Sequence, residues 1–190
     1  ITGFIATVDS NLTAIGGSAF SSVPLKLIVI SPNVTTIGSG AFYGYNYRTV
    51  CNLSDLNITI GSTSNGYAGY NVKAIYTSAP TKINDVWYVQ QDGEFIAVAY
   101  TGTESHLVLY DQTTKIGSYA FYDCNNLESV IIPNGVTSIG EYAFYSCGML
   151  SSVTISSTVT SIERYAFGYC DLLYSVEFEP GSQLTTIGTY

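Results

Sequence analysis

One motif recurs along the chain at a nearly constant spacing, and this repeat restricts the possible folds more than any other feature. Each copy contains an isoleucine that is usually followed by glycine. Successive isoleucines are 22, 23, 23, 33, 23, 23 and 25 residues apart. They are Ile15, Ile37, Ile60, Ile83, Ile116, Ile139, Ile162 and Ile187. Chance does not produce such a series, so we infer a repeat protein.

Two hydrophobic periodicities meet within a repeat such as residues 116–138. Ile116, Ala120 and Cys124 are four residues apart, which predicts one face of a short helix or of 3-10 turns. Val130 and Ile132 are two residues apart, the spacing of a strand with one face toward a core. A single unit cannot bury its own apolar face, but stacking on a similar neighbour can. The repeat therefore predicts an α/β solenoid of about eight coils of ~23 residues, with one short parallel strand per coil.

The most regular repeats resemble a known family. The sequences IGSYAFYDCNNLESVIIPNGVTS and IGEYAFYSCGMLSSVTISSTVTS, from residues 116 to 161, resemble the unit of the BspA-like leucine-rich-repeat family of bacterial surface proteins. The resemblance extends over residues 116–190 and 12–50, and spacing alone continues it through 51–115. It implies a right-handed leucine-rich-repeat superhelix in a secreted or surface-anchored protein, often an adhesin. It implies no enzymatic activity and names no ligand.

The repeat also predicts the domain organisation. We expect residues 1–190 to form a single solenoid, with regular coils at about 1–50 and 116–190 and irregular coils at 51–115. The stretch VWYVQQDGEFIAVAY holds two strand-like runs around an Asp-Gly pair, which predicts an inserted β-hairpin at about 85–105. This hairpin either shapes a binding site or fills a coil that lacks the Ala-Phe pair. Because neither end carries a polar capping repeat, we expect a piece of a longer protein.

Aromatic residues recur at fixed places in the repeat. An Ala-Phe pair predicts an aromatic spine inside the stack, formed by Phe20, Phe42, Phe121, Phe144 and Phe167. Four tyrosines also share one register, and they are Tyr119, Tyr142, Tyr165 and Tyr190. These tyrosines form either a platform for a sugar or a peptide, or a stacked ladder that covers the backbone. We favour the ladder, because residues fixed by a repeat usually serve its packing.

Three cysteines, Cys124, Cys147 and Cys170, occupy one position in successive coils. A disulfide or a metal site is one interpretation, because coils ~4.8 Å apart bring cysteines within the reach of a disulfide. Stacked side chains point in parallel, however, and three cysteines on a line cannot surround a tetrahedral ion. We favour free, buried cysteines that act as small hydrophobic side chains, and we interpret Cys51 in the same way.

Composition and motifs exclude several classes of function. The net charge of −8 and the pI of 4.3 disfavour nucleic acid and anionic membrane surfaces as partners. No apolar run approaches the ~20 residues of a membrane-spanning helix, so we expect no membrane insertion. The chain has one histidine, His106, and lacks G-x-S-x-G, H-E-x-x-H, Walker and Rossmann motifs. We therefore expect neither catalysis nor a cofactor.

Strand positions that point away from the core predict a binding surface. These positions are polar in the C-terminal coils and apolar in the earlier ones, and exposed apolar surface usually marks an interaction site. The predicted ligand-binding residues are Leu27, Val29, Val50, Ile75, His106, Val108 and Ile131, together with Trp87 of the hairpin. The alternative is that the hairpin, or the rest of a longer chain, covers this surface.

Two functions fit these observations. The first is an adhesin-like binding module that presents its sheet face to an extracellular protein or glycan. The second is a structural spacer or stalk in a larger surface protein. Both place the protein in the secreted or cell-surface compartment. We expect a monomer, or weak self-association through the uncapped ends.

Overall fold

The structure is a computed structural model that describes residues 4–44, 48–70 and 72–190, with only the backbone described at Phe4 and Arg48. Parts of the predicted first and third coils, at 1–3 and 45–47, therefore lie outside the described residues. The chain divides into two compact units, the first ending at Pro80 and the second beginning at Thr81. Each unit is described by itself, and the single solenoid over 1–190 stays a prediction.

The first unit contains six described strands and one short helical segment. In chain order these elements are β1 (Phe4–Thr7), β2 (Ala14–Ile15), β3 (Leu25–Ile30), β4 (Thr36–Ile37), β5 (Arg48–Asn52), α1 (Ser64–Tyr67) and β6 (Val72–Tyr76).

The second unit contains eleven described strands. They are β7 (Thr81–Ile83), β8 (Val86–Gln91), β9 (Glu94–Tyr100), β10 (His106–Val108), β11 (Lys115–Ile116), β12 (Ser129–Ile132), β13 (Ser138–Ile139), β14 (Ser152–Ile155), β15 (Ser161–Ile162), β16 (Ser175–Phe178) and β17 (Thr186–Ile187).

Each unit is a stack of β-coils built on a main sheet of four parallel strands. The strand order is β1-β3-β5-β6 in the first unit and β10-β12-β14-β16 in the second. Successive strands along the main sheet come from successive coils, which gives about eight coils in the chain, as predicted. Parallel neighbours of this kind are the arrangement expected for a solenoid. The right-handed twist of the superhelix stays a prediction.

Most coils contain a second, two-residue strand at the repeat isoleucine. In the second unit Ile116, Ile139 and Ile162 pair in parallel with one another, and Ile162 pairs with Ile187. The same pairing joins β2 to β4 in the first unit. The expectation of one strand per coil is therefore wrong, because the isoleucine is itself extended and hydrogen-bonds to the next coil.

The segment predicted as helical is a series of tight turns. Tyr119 and Asp123 have φ angles of 62° and 55°, which lie in the left-handed region. The N–H groups of Tyr119, Phe121 and Asp123 donate to carbonyl oxygens of the next coil at 3.1, 2.8 and 2.9 Å. Because alternate N–H groups leave the segment in this way, the i→i−4 bonds of a helix cannot form.

Helical structure is almost absent from the described residues. Their only helical segment, α1, contains Asn65 and Gly66 with φ angles of 50° and 61°. The α/β class is thus corrected to a β-solenoid. No helix in the described ranges has the length and apolarity that crossing a membrane requires.

The predicted hairpin is confirmed as β8 and β9, which pair in antiparallel fashion. Its turn residues, Asp92 and Gly93, have φ angles of 54° and 81°. Positive φ at both central residues is the signature of the turn that Asp-Gly favours.

The hairpin also supplies the backbone of a coil. Ala97 pairs in parallel with Ile116, the position that a repeat isoleucine occupies elsewhere. Tyr100 then stands where other coils have phenylalanine: its N–H donates to the Ala120 carbonyl at 2.9 Å, and its ring lies 5.6 Å from the ring of Phe121. The Ala99-Tyr100 pair therefore replaces the Ala-Phe pair that the sequence pattern had lost.

The phenylalanine spine is confirmed within each unit. In the second unit the Phe144 ring stacks on Phe121 at 4.7 Å and on Phe167 at 5.2 Å, with interplanar angles of 8° and 3°. In the first unit Phe20 stacks on Phe42 at 5.4 Å. Offset stacking of this kind adds to the free energy gained by burying each ring.

Replacing Phe144 with alanine should lower the free energy of unfolding by ~3–5 kcal/mol, because a cavity is added to the lost burial. Phe144 is fully buried between two other rings, so its neighbours cannot collapse into the space without losing their own contacts. Urea denaturation followed by circular dichroism measures the change. The matched control is Met149→Ala, since Met149 is 46% exposed and should change stability little. Equal midpoints for the two variants would contradict the spine.

Candidate functional site

The candidate site is the outer face of the main sheet in the second unit. Side chains that alternate with the core-facing ones form two rows across β10, β12, β14 and β16. The first row is His106, Ser129, Ser152 and Ser175, and the second is Val108, Ile131, Thr154 and Glu177. We call these eight residues the outer face.

The core side of the same strands fixes the orientation of the outer face. Val130, Ile132, Val153 and Ile155 are each 1% exposed and belong to one hydrophobic cluster. Because strand side chains alternate, burying these four residues directs their neighbours outward. The predicted assignment of inward and outward positions is confirmed for β10, β12 and β14.

The outer face combines an apolar centre with polar surroundings. Val108 and Ile131 pair across β10 and β12 and are 59% and 45% exposed. Beside them the Nδ1 atom of His106 lies 2.8 Å from the Oγ atom of Ser129. Two exposed aliphatic side chains among hydroxyl, imidazole and carboxylate groups can contact a partner through both apolar and hydrogen-bonding surface.

In the first unit, two predicted outer-face residues point toward the core instead. Val50 pairs with Ile28 and Ile75 pairs with Val50, and all three pack in or against the core cluster of this unit. The prediction took Cys51 and Ala74 as the core-facing counterparts of Ile28, whereas the strand register places Val50 and Ile75 in line with it. A one-residue error of this kind exchanges the two faces of a strand.

Leu27 and Val29 do lie on the second face of this sheet, but they are not exposed. Leu27 is 0% and Val29 6% exposed, and Cys51, which pairs with Val29, is also buried. The run LKLIVI in β3 is apolar on both faces, as is typical of a parallel strand covered on both sides. The exposed apolar surface predicted for the early coils is therefore wrong, since these side chains are already buried within the chain.

Trp87 is not placed on the outer face. It lies in β8, where it pairs with Ala99 in the hairpin. The Nε1–H group of its half-buried side chain donates to the Oγ1 atom of Thr101 at 3.2 Å. Packing within the hairpin accounts for this tryptophan.

The cysteines are free, and the thiols of the three stacked ones form hydrogen bonds that the sequence did not predict, with Cys124 donating to the Tyr122 carbonyl at 3.8 Å. The Cys147 thiol donates to the Phe121 carbonyl at 3.0 Å, and the Cys170 thiol donates to the Phe144 carbonyl at 3.1 Å. Hydrogen bonding with the neighbouring thiols, together with burial, raises the pKa of Cys147. In the described part of the chain no group of three His, Cys, Asp or Glu side chains is arranged to hold a metal ion.

The tyrosines form the predicted ladder. Tyr142 stacks on Tyr119 and on Tyr165 at 4.9 Å, and Tyr165 stacks on Tyr190 at 4.6 Å. A second column that the sequence analysis missed begins with Tyr122 and Tyr145, whose rings are 5.4 Å apart. The sequence does contain a signal for this second column, because a tyrosine follows the Ala-Phe pair in two successive coils. Inside these columns the ring faces contact each other, so they are not available to stack on a sugar.

A family model described as "BspA type Leucine rich repeat region" matches residues 5–86 and 97–190 with six copies. The chain belongs to this family. The match includes most of the stretch between residues 51 and 115, where only spacing supported the resemblance. No curated protein sequence matches the chain.

Crystal structures of bacterial leucine-rich-repeat proteins are similar to this chain. A leucine-rich repeat protein from Bacteroides capillosus is 25% identical over 60% of this chain and 99% of its own, with a TM-score of 0.48. The pneumococcal vaccine antigen PcpA is 15% identical over 94% of this chain and 57% of its own, with a TM-score of 0.53. A leucine rich cell surface protein from Faecalibacterium prausnitzii is 17% identical over 92% of this chain and 73% of its own, with a TM-score of 0.34. The likeness to PcpA supports the repeat fold.

A lysine at Ile131 should leave the free energy of unfolding almost unchanged, because this side chain is already half in solvent. The same replacement at the adjacent Ile132 should unfold the coil, because it buries an unpaired charge in the core. In the first unit Val29→Lys should also be strongly destabilising. Thermal denaturation of the three variants measures this, and equal loss at Ile131 and Ile132 would mean that the faces are assigned wrongly.

In the native protein Cys51, Cys124 and Cys147 should not react with a thiol reagent at pH 8, because all three are fully buried. Cys170 is only partly buried and should label slowly. Intact-mass measurement after labelling counts the modified thiols, with Cys170→Ser as the control that should take up no label before denaturation. Rapid labelling of that variant would contradict the buried arrangement.

Alkaline pH should destabilise the folded protein, because a buried thiol ionises less readily than the same thiol in the unfolded chain. Burial raises the pKa of the Cys51 thiol from its ordinary value of 9.0 to about 12. As pH rises, the Cys51 thiol therefore ionises in the unfolded chain before it ionises in the folded protein. The stability that the buried neutral thiol contributes is fully present below pH ~9 and is lost toward pH ~12, by up to ~1.4 kcal/mol per pH unit. Urea denaturation at pH 8 and pH 10.5 measures the loss, which should be smaller in Cys51→Ala. An identical loss in both proteins would exclude Cys51 as its source.

Proposed function

We propose that this chain is a non-catalytic, adhesin-like binding module, secreted or on the cell surface, whose outer face binds an extracellular partner. The observation that carries the proposal is the exposure of Val108 and Ile131 on adjacent strands whose other side is fully buried. Aliphatic side chains on a sheet gain free energy when a partner removes them from water.

Membership of the BspA-type family supports an extracellular location, because the resemblance implies bacterial surface proteins. The same membership supports a role without catalysis. The single histidine contacts a serine hydroxyl on the open sheet, and this serine is not part of a G-x-S-x-G turn. An activated nucleophile requires a base that is itself oriented by a third group.

A structural spacer is the second candidate, and the polar half of the outer face favours it. Ser152, Thr154 and Ser175 are short side chains that offer little area to a partner. A stack that continues through such coils sets length without requiring a ligand. The two functions differ in one respect: only the binding module needs Val108 and Ile131.

A double variant, Val108→Ser with Ile131→Ser, tests the proposal. The chain should be retained on a surface that carries its partner, such as immobilised extracellular-matrix proteins or a glycan array, and the variant should lose this retention. Because both side chains are exposed, the melting temperature should change little.

The matched control is Leu172→Ser, which also removes an exposed aliphatic side chain but lies outside the outer face. Retention of the double variant at the level of the original chain would contradict binding through the outer face. Absence of retention on every surface would favour the spacer.

A further inference from the structure

The two units differ sharply in charge. Residues 1–80 contain three Lys or Arg and two Asp or Glu, whereas residues 81–190 contain three Lys or Arg and twelve Asp or Glu. All of the chain's excess negative charge therefore belongs to the unit that carries the outer face. A charge asymmetry of this size affects the choice of partner more than the fold.

The cations of the second unit are engaged away from the outer face. Lys82 forms a salt bridge with Asp85 at 2.7 Å, and Lys115 forms one with Glu94 at 3.0 Å. Arg164 lies over the ring of Tyr165, 4.9 Å from its centre. In the part of the chain that the structure describes, no salt bridge involves a carboxylate on or beside the outer face.

Three exposed carboxylates lie on the outer face or just before the strands that carry its apolar centre. Glu177 lies on the outer face itself, in the same row as Ile131. Glu128 directly precedes β12, and Glu104 lies two residues before β10, so both flank the amino ends of the strands that carry Ile131 and Val108. An apolar centre with charged surroundings is the common anatomy of a protein interface.

The chemistry of the outer face favours a polypeptide over a glycan. None of its eight side chains is Phe, Tyr or Trp, and sugar rings are usually bound by stacking on the exposed face of such a ring. The four strands span ~14 Å, which corresponds to about four residues of an extended chain.

We propose that the outer face binds an extended polypeptide segment in which Lys or Arg flanks an apolar residue, an inference that rests on the proposed binding function. The apolar side chain contacts Val108 and Ile131, and the cations lie beside Glu128 and Glu177. The hydroxyl group of Ser152 on the next strand faces the backbone of the segment. Complementary charge of this kind accelerates association and fixes the orientation of the partner.

Binding of synthetic peptides to the whole chain tests this inference. The probe is a seven-residue peptide that alternates lysine with valine, and the comparison peptides replace lysine by glutamate or valine by serine. Only the lysine–valine peptide should bind, with an affinity that falls as salt rises.

Variants of the protein test which residues bind this peptide. Glu128→Gln with Glu177→Gln should weaken the affinity for it about fivefold to tenfold, and Ile131→Ser should weaken the affinity similarly. Asp92→Asn with Glu163→Gln, which removes two carboxylates outside the outer face, should leave it unchanged.

Three results would overturn the inference. Equal weakening by Asp92→Asn with Glu163→Gln would show diffuse attraction to an acidic protein, and so would equal binding of the lysine–serine peptide. In the third result no lysine peptide binds, but Val108→Ser with Ile131→Ser still abolishes retention on a partner surface. This would reject the cationic segment and leave the proposed function standing. If retention on partner surfaces is also absent, both proposals are wrong.

Discussion

Hydrogen bonding between successive coils is the interaction on which the rest of this structure depends. Four of the spine phenylalanines donate their N–H to a carbonyl of the next coil, as Phe121 does to Ala143 at 2.8 Å and Phe144 to Ala166 at 2.7 Å. These bonds set the separation of the coils, and that separation is what allows phenylalanine and tyrosine rings to stack. The turns cost free energy, because tyrosine at positive φ is unfavourable by ~1–2 kcal/mol. Ring stacking and satisfied backbone groups offset this cost in each coil.

A coil with a different sequence can still stack on its neighbours if it supplies the backbone hydrogen bond and a buried aromatic ring. The hairpin coil illustrates this, because Tyr100 donates the same backbone bond and contacts Phe121 with a buried ring. The Tyr100 hydroxyl group finds an acceptor in the Glu104 carbonyl at 3.2 Å, which is why a polar ring is tolerated there. Departures from the repeat sequence are therefore compatible with the fold, and function can differ between coils that share one backbone.

The two main sheets show how one backbone produces different surfaces. In the first unit Leu27, Val29 and Cys51 are buried on the second face, so that sheet serves stability. In the second unit the corresponding rows are partly or fully exposed and contain both apolar and polar side chains. Its core requires only alternate positions of each strand, which leaves the intervening positions free to carry a binding surface. The acidic composition of this unit adds a preference for partners of opposite charge.

The sequence alone determined the repeat, the stacked phenylalanine and tyrosine columns, the hairpin and the faces of β10, β12 and β14. Local spacing carries that information wherever the repeat isoleucine is buried. Only the tertiary structure decided that the Ala-Phe segment forms turns, since its N–H groups bond to a different coil. It also decided the faces of β5 and β6, where the strand register differs by one residue from the count based on the repeat isoleucines. Burial of Leu27 and Val29 could not be predicted either, because an apolar side chain on a sheet is equally compatible with an exposed or a covered face, and only long-range packing distinguishes them.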